Sequence, residues 1–224
     1  MNQKYRYEIK FVVDEQGLSN FVQWINLDTQ AKEKYQERRV NSLYLDDIYF
    51  SSVKDNLSGL SRRRKTRLRW YGDQSYSCPS LEFKIRNGRL NSKTSYPIRS
   101  LEKNLFNLEI EHITKECNDQ IRNEDLLDHM LVSSLQTRYT RKYFEDPEGL
   151  RITIDKDIKF LECLPYRKLN ESASIAYSSK IVELKFDITM KNKVSELIRP
   201  LHMTPRRHSK YLTGLAMLGY AVYI

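Results

Sequence analysis

Glycine is scarce: seven residues in a chain of 224, about 3% where roughly 7% is usual. That excludes a collagen-like chain or a flexible low-complexity linker, and leaves too little for a fold built on glycine-rich phosphate loops. Cysteine is almost absent. Cys78, Cys117 and Cys163 are odd in number and far apart, and no two show CxxC spacing, so neither a disulfide framework nor a cysteine-held zinc is indicated. The four histidines, His112, His129, His202 and His208, form no HExxH-type pair, which argues against a His-ligated metal and leaves carboxylate-bound Mg²⁺ or Mn²⁺ open. No run approaches the ~20 apolar residues of a membrane span, and residues 1–13 carry no secretory signal pattern. The expectation is a cytoplasmic protein.

Charge and aromatics are what the chain has in quantity. Lys and Arg number 38 against 29 Asp and Glu, a formal net charge of +9, with a pI near 9.3. Such a surplus implies an anionic partner without naming it. Fifteen Tyr and eight Phe favour an ordered core over disorder. No repeat or composition break divides the chain, so one domain over 1–224 is expected, mostly β with helices attached.

Period-two alternation predicts strands at 4–13, 40–46, 62–71, 80–86, 92–98, 137–145, 150–160 and 181–187. Turns fall at Tyr71-Gly72-Asp73, Asn87-Gly88 and Asp146-Pro147-Glu148-Gly149. Helical spacing predicts helices at 18–27, capped by Ser19, near 121–135, near 190–199, and at 209–219, capped by Ser209.

The polar faces of these strands carry the information. Arg63, Lys65, Arg67 and Arg69 share a face opposite Leu68 and Trp70; Glu82, Lys84 and Arg86 oppose Leu81, Phe83 and Ile85. Glu183, Lys185 and Asp187 oppose Val182, Leu184 and Phe186. Arg6, Glu8 and Lys10 oppose Ile9 and the tyrosines Tyr5 and Tyr7, and Arg151 and Asp155 turn away from Ile152 and Ile154. A solvated face of an antiparallel sheet explains any one strand. It explains the set less well, because the positions are nearly all ionised and Glu-x-Lys recurs three times. Strands with an apolar outer face and an ionised inner face can close into a barrel with a charged lumen. So many cations around a lumen need an anion, and a string of phosphates suits Arg forks and Lys point charges.

Taken in order, KYRYEIKFVV, VNSLYLDDIYFSSVKDNLSGLSRRRKTRLRWYG, LEFKIRNG, TRYTRKYF, LRITID, IVELKFD and RHSKYLTG resemble the VTC domain, the polyphosphate polymerase domain of vacuolar transporter chaperone complexes and their bacterial relatives. The resemblance runs from about residue 4 to 220. It implies an α+β architecture, the triphosphate tunnel fold: an antiparallel β-barrel with flanking helices and a basic lumen. It implies transfer of the ATP γ-phosphate to a growing polyphosphate chain, with Mn²⁺ or Mg²⁺. By this likeness Lys10, Arg67, Arg69, Lys84, Arg141, Arg151 and Lys210 contact phosphate, with Arg138 an alternative to Arg141, and Glu183 holds the metal. Arg86 and Lys185, on the same strand faces, join the phosphate set, and Glu8 is a further candidate for the metal. Lys210, Arg67 and Arg69 are expected to be catalytic.

The related CYTH triphosphatases carry E-x-E-x-K on the first strand, where this chain has Arg6, Glu8 and Lys10. One carboxylate fewer favours polymerase over water-activating hydrolase. A tunnel triphosphatase or polyphosphatase and a non-catalytic polyphosphate binder stand as alternatives. A nucleic-acid binder using RRRKTRLR, six bases in residues 62–69, is a fourth, opposed by the interleaved glutamates. No nucleic-acid partner is expected, and any membrane link would come through a partner protein. Tyr5, Tyr7, Tyr44 and Trp70 are aromatics that can stack a base, but the base site is left unassigned.

Overall fold

A computed structural model describes residues 6–73, 78–88, 90–127 and 129–220. Lys4 and Tyr5, expected on the first strand, lie outside the described residues. In chain order the elements are β1 (Tyr7–Val13), α1 (Glu15–Asp28), β2 (Lys32–Asp46), α2 (Ser51–Leu57), β3 (Arg62–Tyr71), β4 (Ser80–Asn87), β5 (Leu90–Pro97), α3 (Ile110–Asn123), β6 (Val132–Glu145), β7 (Arg151–Leu161), β8 (Ser174–Ala176), β9 (Lys180–Phe186), α4 (Lys191–Leu197) and α5 (Lys210–Met217). The strands form one antiparallel sheet in the order β1-β9-β7-β6-β2-β3-β4-β5, with β8 beside β7. The sheet curls until its edges touch: Arg6 and Asn91 exchange backbone hydrogen bonds of 3.4 Å at an isolated bridge. The result is a barrel-like wall with an inside and an outside.

Period-two alternation assigns each face. Outside, Leu43 and Leu45 of β2, Leu68 and Trp70 of β3, and Leu81 and Phe83 of β4 are buried beneath Ile110, Ile113, Cys117 and Ile121 of α3. Those four residues recur at three- and four-residue spacing, the stripe an amphipathic helix buries. On the other flank α1 lays Phe21, Trp24 and Ile25 over Phe11, Ile152, Ile154, Val182 and Leu184, with Val194 of α4 alongside. The third cluster is inside. Tyr211, Leu212 and Leu215 of α5 pack on Tyr44, Leu135, Ile158, Phe160 and Ile181, so α5 is tucked into the curl of the sheet.

Several elements differ from expectation. The first helix begins four residues before Ser19: Asp14 caps it, accepting from Gly17 N at 2.8 Å, while Ser19 lies inside and donates to Glu15 O. No helix runs over the expected 121–135: α3 lies earlier, at Ile110–Asn123, and shares only its last three residues with that span. Asp125 takes a positive φ of 50° just beyond α3, and β6 starts at Val132. β2 begins at Lys32, eight residues before the expected 40, in a stretch exposed as far as Arg38 and so without apolar alternation to reveal it. The helical α2 and the three-residue β8 have no counterpart in the expected pattern. Asp187 lies past the end of β9 and caps the next turn, accepting from Thr189 N. Among the described residues no helix is long and apolar enough to cross a membrane.

Candidate functional site

The curled sheet encloses a cavity of about 530 Å³, whose wall carries twelve Lys and Arg side chains against two glutamates, Glu8 and Glu183. β3 supplies Arg63, Lys65, Arg67 and Arg69 from one face, and β4 adds Lys84 and Arg86. Lys10, Arg141 and Lys185 come from β1, β6 and β9. The segment before α5 closes over this set, bringing Arg206, Arg207, His208, Ser209 and Lys210.

Buried carboxylates fix the cations in place. Lys84 Nζ donates to both oxygens of Glu8, at 3.1 and 2.8 Å, and Lys10 Nζ lies 2.9 Å from Glu8 Oε1. Lys185 Nζ is 2.6 Å from Glu183 Oε1, and Lys10 is 4.0 Å from Glu183 Oε2. Arg67 donates from Nε and Nη2 to Glu82 Oε2, at 2.9 and 2.7 Å, while Lys93 takes Glu82 Oε1 at 2.7 Å. Arg141 forks onto Asp155, and Lys210 Nζ reaches the same carboxylate at 2.5 Å. Arg69 is aimed by hydrogen bonds from Nη2 to Tyr139 Oη at 2.9 Å and to Ser42 Oγ at 3.3 Å.

Protonation states follow from this packing. Burial works to raise the carboxyl of Glu8, as does Glu183, but Lys10, Lys84 and Lys185 outweigh them and hold it down at about 2. For Glu183, too, burial is overcome by Lys185, Lys10 and Lys84, and its carboxyl lies well below the usual range. Burial lowers Lys84 to about 8 despite the pull of Glu8. Lys65 is also held well below the usual lysine range, by burial and then by the charges of Lys10 and Lys84; its Nζ donates to Ser209 Oγ at 2.7 Å. The wall therefore combines fixed cations with two lysines that gain a proton readily once an anion arrives.

Ten of the residues named from sequence meet here: Lys10, Arg67, Arg69, Lys84, Arg86, Arg141, Lys185, Lys210, Glu8 and Glu183 all line the cavity. Arg151 does not. It sits at the start of β7 with its side chain 44% exposed and pairs with Glu145 at 3.2 Å. Arg138 is also off the wall, which leaves Arg141 as the inward-facing arginine of β6. Of the six bases in the β3 strip, Arg63, Lys65, Arg67 and Arg69 line the cavity, with Arg69 only 8% exposed, while Arg62 and Arg64 do not line it and Arg62 is exposed. As for the aromatics, Trp70 is in the outer core, Tyr44 stacks on Tyr211 at 4.8 Å and Tyr7 on Phe186 at 5.9 Å. Tyr5 lies outside the described residues.

Sequence reasoning missed several participants. The sequence pattern places Arg63 and Lys65 on the ionised face with Arg67 and Arg69 but does not assign them to phosphate, and it does not single out Arg206 and Arg207, which adjoin the His-Ser-Lys stretch. The anchoring roles of Asp155 and Glu82 are not readable from it, because a strand glutamate or aspartate looks alike whether it pairs with solvent or with a buried guanidinium.

For a metal, the cavity wall offers the carboxylate oxygens of Glu183 and Glu8, and the buried Nε2 of His208. Glu183 Oε1 is buried and accepts no well-directed hydrogen bond, although Lys185 is close by, and Glu8 adds a second carboxylate on the same wall. Among the described residues no three His, Cys, Asp or Glu side chains converge on one point. The residues fit a hard cation that takes most of its ligands from phosphate and water, not one held in an all-protein cage.

A family model described as the VTC domain matches residues 5–219. No curated protein matches the chain. Solved structures of the same fold include a protein of Pyrococcus horikoshii OT3, with 12% identity and a TM-score of 0.57 over 95% of this chain and 99% of that one. A Vibrio parahaemolyticus protein provisionally named as an adenylate cyclase has 12% identity and a TM-score of 0.53, over 96% and 99%. A Bacillus halodurans protein with the same provisional name has 10% identity and a TM-score of 0.52, over 93% and 96%. At these identities the likeness speaks for the fold.

Proposed function

Because the chain belongs to the VTC domain family, we propose that it is a metal-dependent polyphosphate polymerase, transferring the γ-phosphate of cytoplasmic ATP to a growing inorganic polyphosphate chain inside the cavity. The observation that carries this reading is the cavity wall itself, twelve cations to two glutamates, preset by carboxylates that sit behind or among them. Phosphoryl transfer asks chiefly for positioning and charge neutralisation. An oxygen of the chain's terminal phosphate attacks the γ-phosphorus, the bond to the β,γ-bridging oxygen breaks, and ADP leaves. That attacking oxygen is already anionic, so no general base is required.

Arg67, Arg69 and Arg141 offer planar forks to phosphate oxygens, and Lys10, Lys84, Lys185 and Arg86 add charge along the wall. Lys210 stands at the first turn of α5, whose Ser209 cap accepts from Leu212 N at 3.4 Å. Helix N–H groups and Lys210 thus favour the same anion. Glu183, with Glu8, would hold Mg²⁺ or Mn²⁺. When bound, that ion supplies Lewis-acid neutralisation of phosphate oxygens.

Arg6 in place of a second first-strand carboxylate supports polymerase over hydrolase. The test is to incubate the purified protein with ATP and Mn²⁺ and resolve the products on a gel stained for polyphosphate. Long polymer with ADP is expected. Orthophosphate as the sole phosphate product would overturn the polymerase in favour of a hydrolase, and binding without turnover would reduce the protein to a polyphosphate carrier.

A further inference from the structure

The phosphate wall does not end at Arg141. On β6, Tyr139, Arg141 and Tyr143 follow one another on one face; the first two line the cavity, and Tyr143 continues the wall beyond it. There it meets Tyr35 and Arg38 of β2 and Tyr71 of β3. The guanidinium carbon of Arg38 lies 4.1 Å from the Tyr71 ring centroid, 4.9 Å from that of Tyr143 and 5.4 Å from that of Tyr35. Arg38 Nε donates to Tyr143 Oη at 3.4 Å. Tyr35 and Tyr143 pack edge to face, 5.7 Å between centroids. Arg141 closes the link to the cavity, its guanidinium carbon 5.8 Å from the Tyr143 ring.

Tyr71 packs at the edge of the inner core, but Tyr35 and Arg38 stand outside it. Residues 32–38 of β2 are exposed throughout, and Tyr35 is itself 50% exposed. A solvated strand end has no packing need for tyrosines around an arginine. Tyrosine rings and guanidinium planes are the surfaces on which nucleobases stack, and this set lies one side chain away from an arginine of the phosphate wall. Resting on the reading of the cavity as a nucleoside-triphosphate site, we infer that the Tyr35–Arg38–Tyr71–Tyr143 cluster seats the base of the nucleotide whose phosphates enter the cavity. The base stacks on the Tyr35 ring and the Arg38 plane. Those surfaces present π-faces and one cation instead of an edge pattern, so the seat accepts adenine and guanine alike.

Calorimetric titration with ATP, GTP and inorganic tripolyphosphate, in metal-free buffer so that no turnover intervenes, tests this. Tyr35→Ala is expected to weaken ATP and GTP about tenfold, in keeping with the loss of a base–aromatic stack, and to leave tripolyphosphate unchanged. Arg38→Lys, which keeps the charge and removes the plane, should weaken the nucleotides in the same selective way, and Tyr35→Phe should bind like the wild type. Equal losses for nucleotide and tripolyphosphate, or no loss for either, would overturn the base seat while leaving the phosphate site standing. A wild-type protein that binds none of the three would overturn the phosphate site and the seat together.

Discussion

Lys210 Nζ lies 2.5 Å from Asp155 Oδ2, and that fully buried carboxylate holds Arg141 through both of its oxygens. Two cations from different elements, α5 and β6, are thereby brought to one point and aimed at the lumen. Glu8 does the same for Lys84 and Lys10, and Glu82 holds the inward-facing Arg67 together with the more exposed Lys93. Removing one partner of a buried ion pair is costly because it strands the other. The carboxylates therefore let a cation-rich cavity be assembled before phosphate arrives, with a positive surplus left over for the ligand. Preset charge of this kind needs no reorganisation during the reaction.

Substitutions that respect this pairing separate chemistry from folding. Lys210→Ala leaves Asp155 paired with Arg141, and Glu183→Gln keeps the shape of the side chain. Each is expected to cost about a hundredfold or more in the rate of ADP release, the scale seen when one group that stabilises transition-state charge is lost. Circular dichroism spectra should match the wild type. Wild-type rates in either variant would remove that residue from the proposed chemistry.

How much of this was readable in advance depended on the kind of signal. The alternation of Arg63, Lys65, Arg67 and Arg69 against Leu68 and Trp70 is a local pattern, and it placed the basic face correctly because strand geometry leaves no other choice. Ser209 as the cap of α5 was equally local. Asp155 and Glu82 are long-range. Their roles depend on which strand lies opposite, and strand order is set by tertiary packing that no window of sequence contains. Arg151 shows the same limit from the other side. It has the right parity for the inner wall but sits at the end of its strand, where Glu145 meets it. The exposed half of β2 was missed because it buries nothing, and with it went Tyr35 and Arg38.

Lys84 gives the site a pH dependence. Burial lowers its ammonium to about 8, so above that pH much of the ligand-free protein has lost the charge. Anion binding favours the protonated form and must draw a proton from solvent. Tripolyphosphate affinity should fall as pH rises from 7 to 9.5. At pH 8.5, titrations in buffers of different ionisation enthalpy should show net proton uptake. Lys84→Arg should move the fall to higher pH, though Lys65, also lowered, retains part of the uptake. Constant affinity across the range would contradict a burial-weakened lysine.

Stability in acid should decline in two stages, and His208 sets the first. Burial, then the charges of Lys210 and Lys10, push its imidazole from 6.5 down to about 3. Between those values the unfolded chain holds a proton that the folded chain does not, so stability falls as pH drops through that window. Glu8 and Asp155, both at about 2 when folded, have the carboxylate sign. Their contribution is complete above the unfolded values near 4 and is lost as pH falls toward 2. Urea unfolding should therefore show the wild type weakening between pH 7 and 5, with a steeper loss below 4. His208→Gln should flatten the first stage and keep the second. A variant that weakens between pH 7 and 5 as much as the wild type would place the titrating group elsewhere.

Gly214 ties the stability of the fold to the position of Lys210. A Cβ at this residue would sit 2.6 Å from both Leu135 Cδ2 and Phe160 Cδ1, so the glycine is there for the close approach of α5 to β6 and β7. That approach carries consequences at the other polar contacts of the helix: Tyr211 Oη donates to Asp46 Oδ2 at 2.8 Å and lies 3.0 Å from Ser134 Oγ, fixing the rotation that points Lys210 at Asp155. Gly214→Ala forces either the helix outward or Leu135 and Phe160 off their places, an overpacking cost of about 1–3 kcal/mol. Ser209→Ala removes a cap, at about 1 kcal/mol, and the acceptor of Lys65 Nζ, without pushing on the helix. The two losses in urea unfolding are comparable in scale, but their effects on the site are not. Gly214→Ala should also weaken tripolyphosphate binding, because Lys210 leaves the phosphate wall as α5 lifts, and Ser209→Ala should weaken it less. A Gly214→Ala protein with wild-type stability and affinity would mean that the sheet yields to a methyl group there, and that the seating of α5 does not govern Lys210.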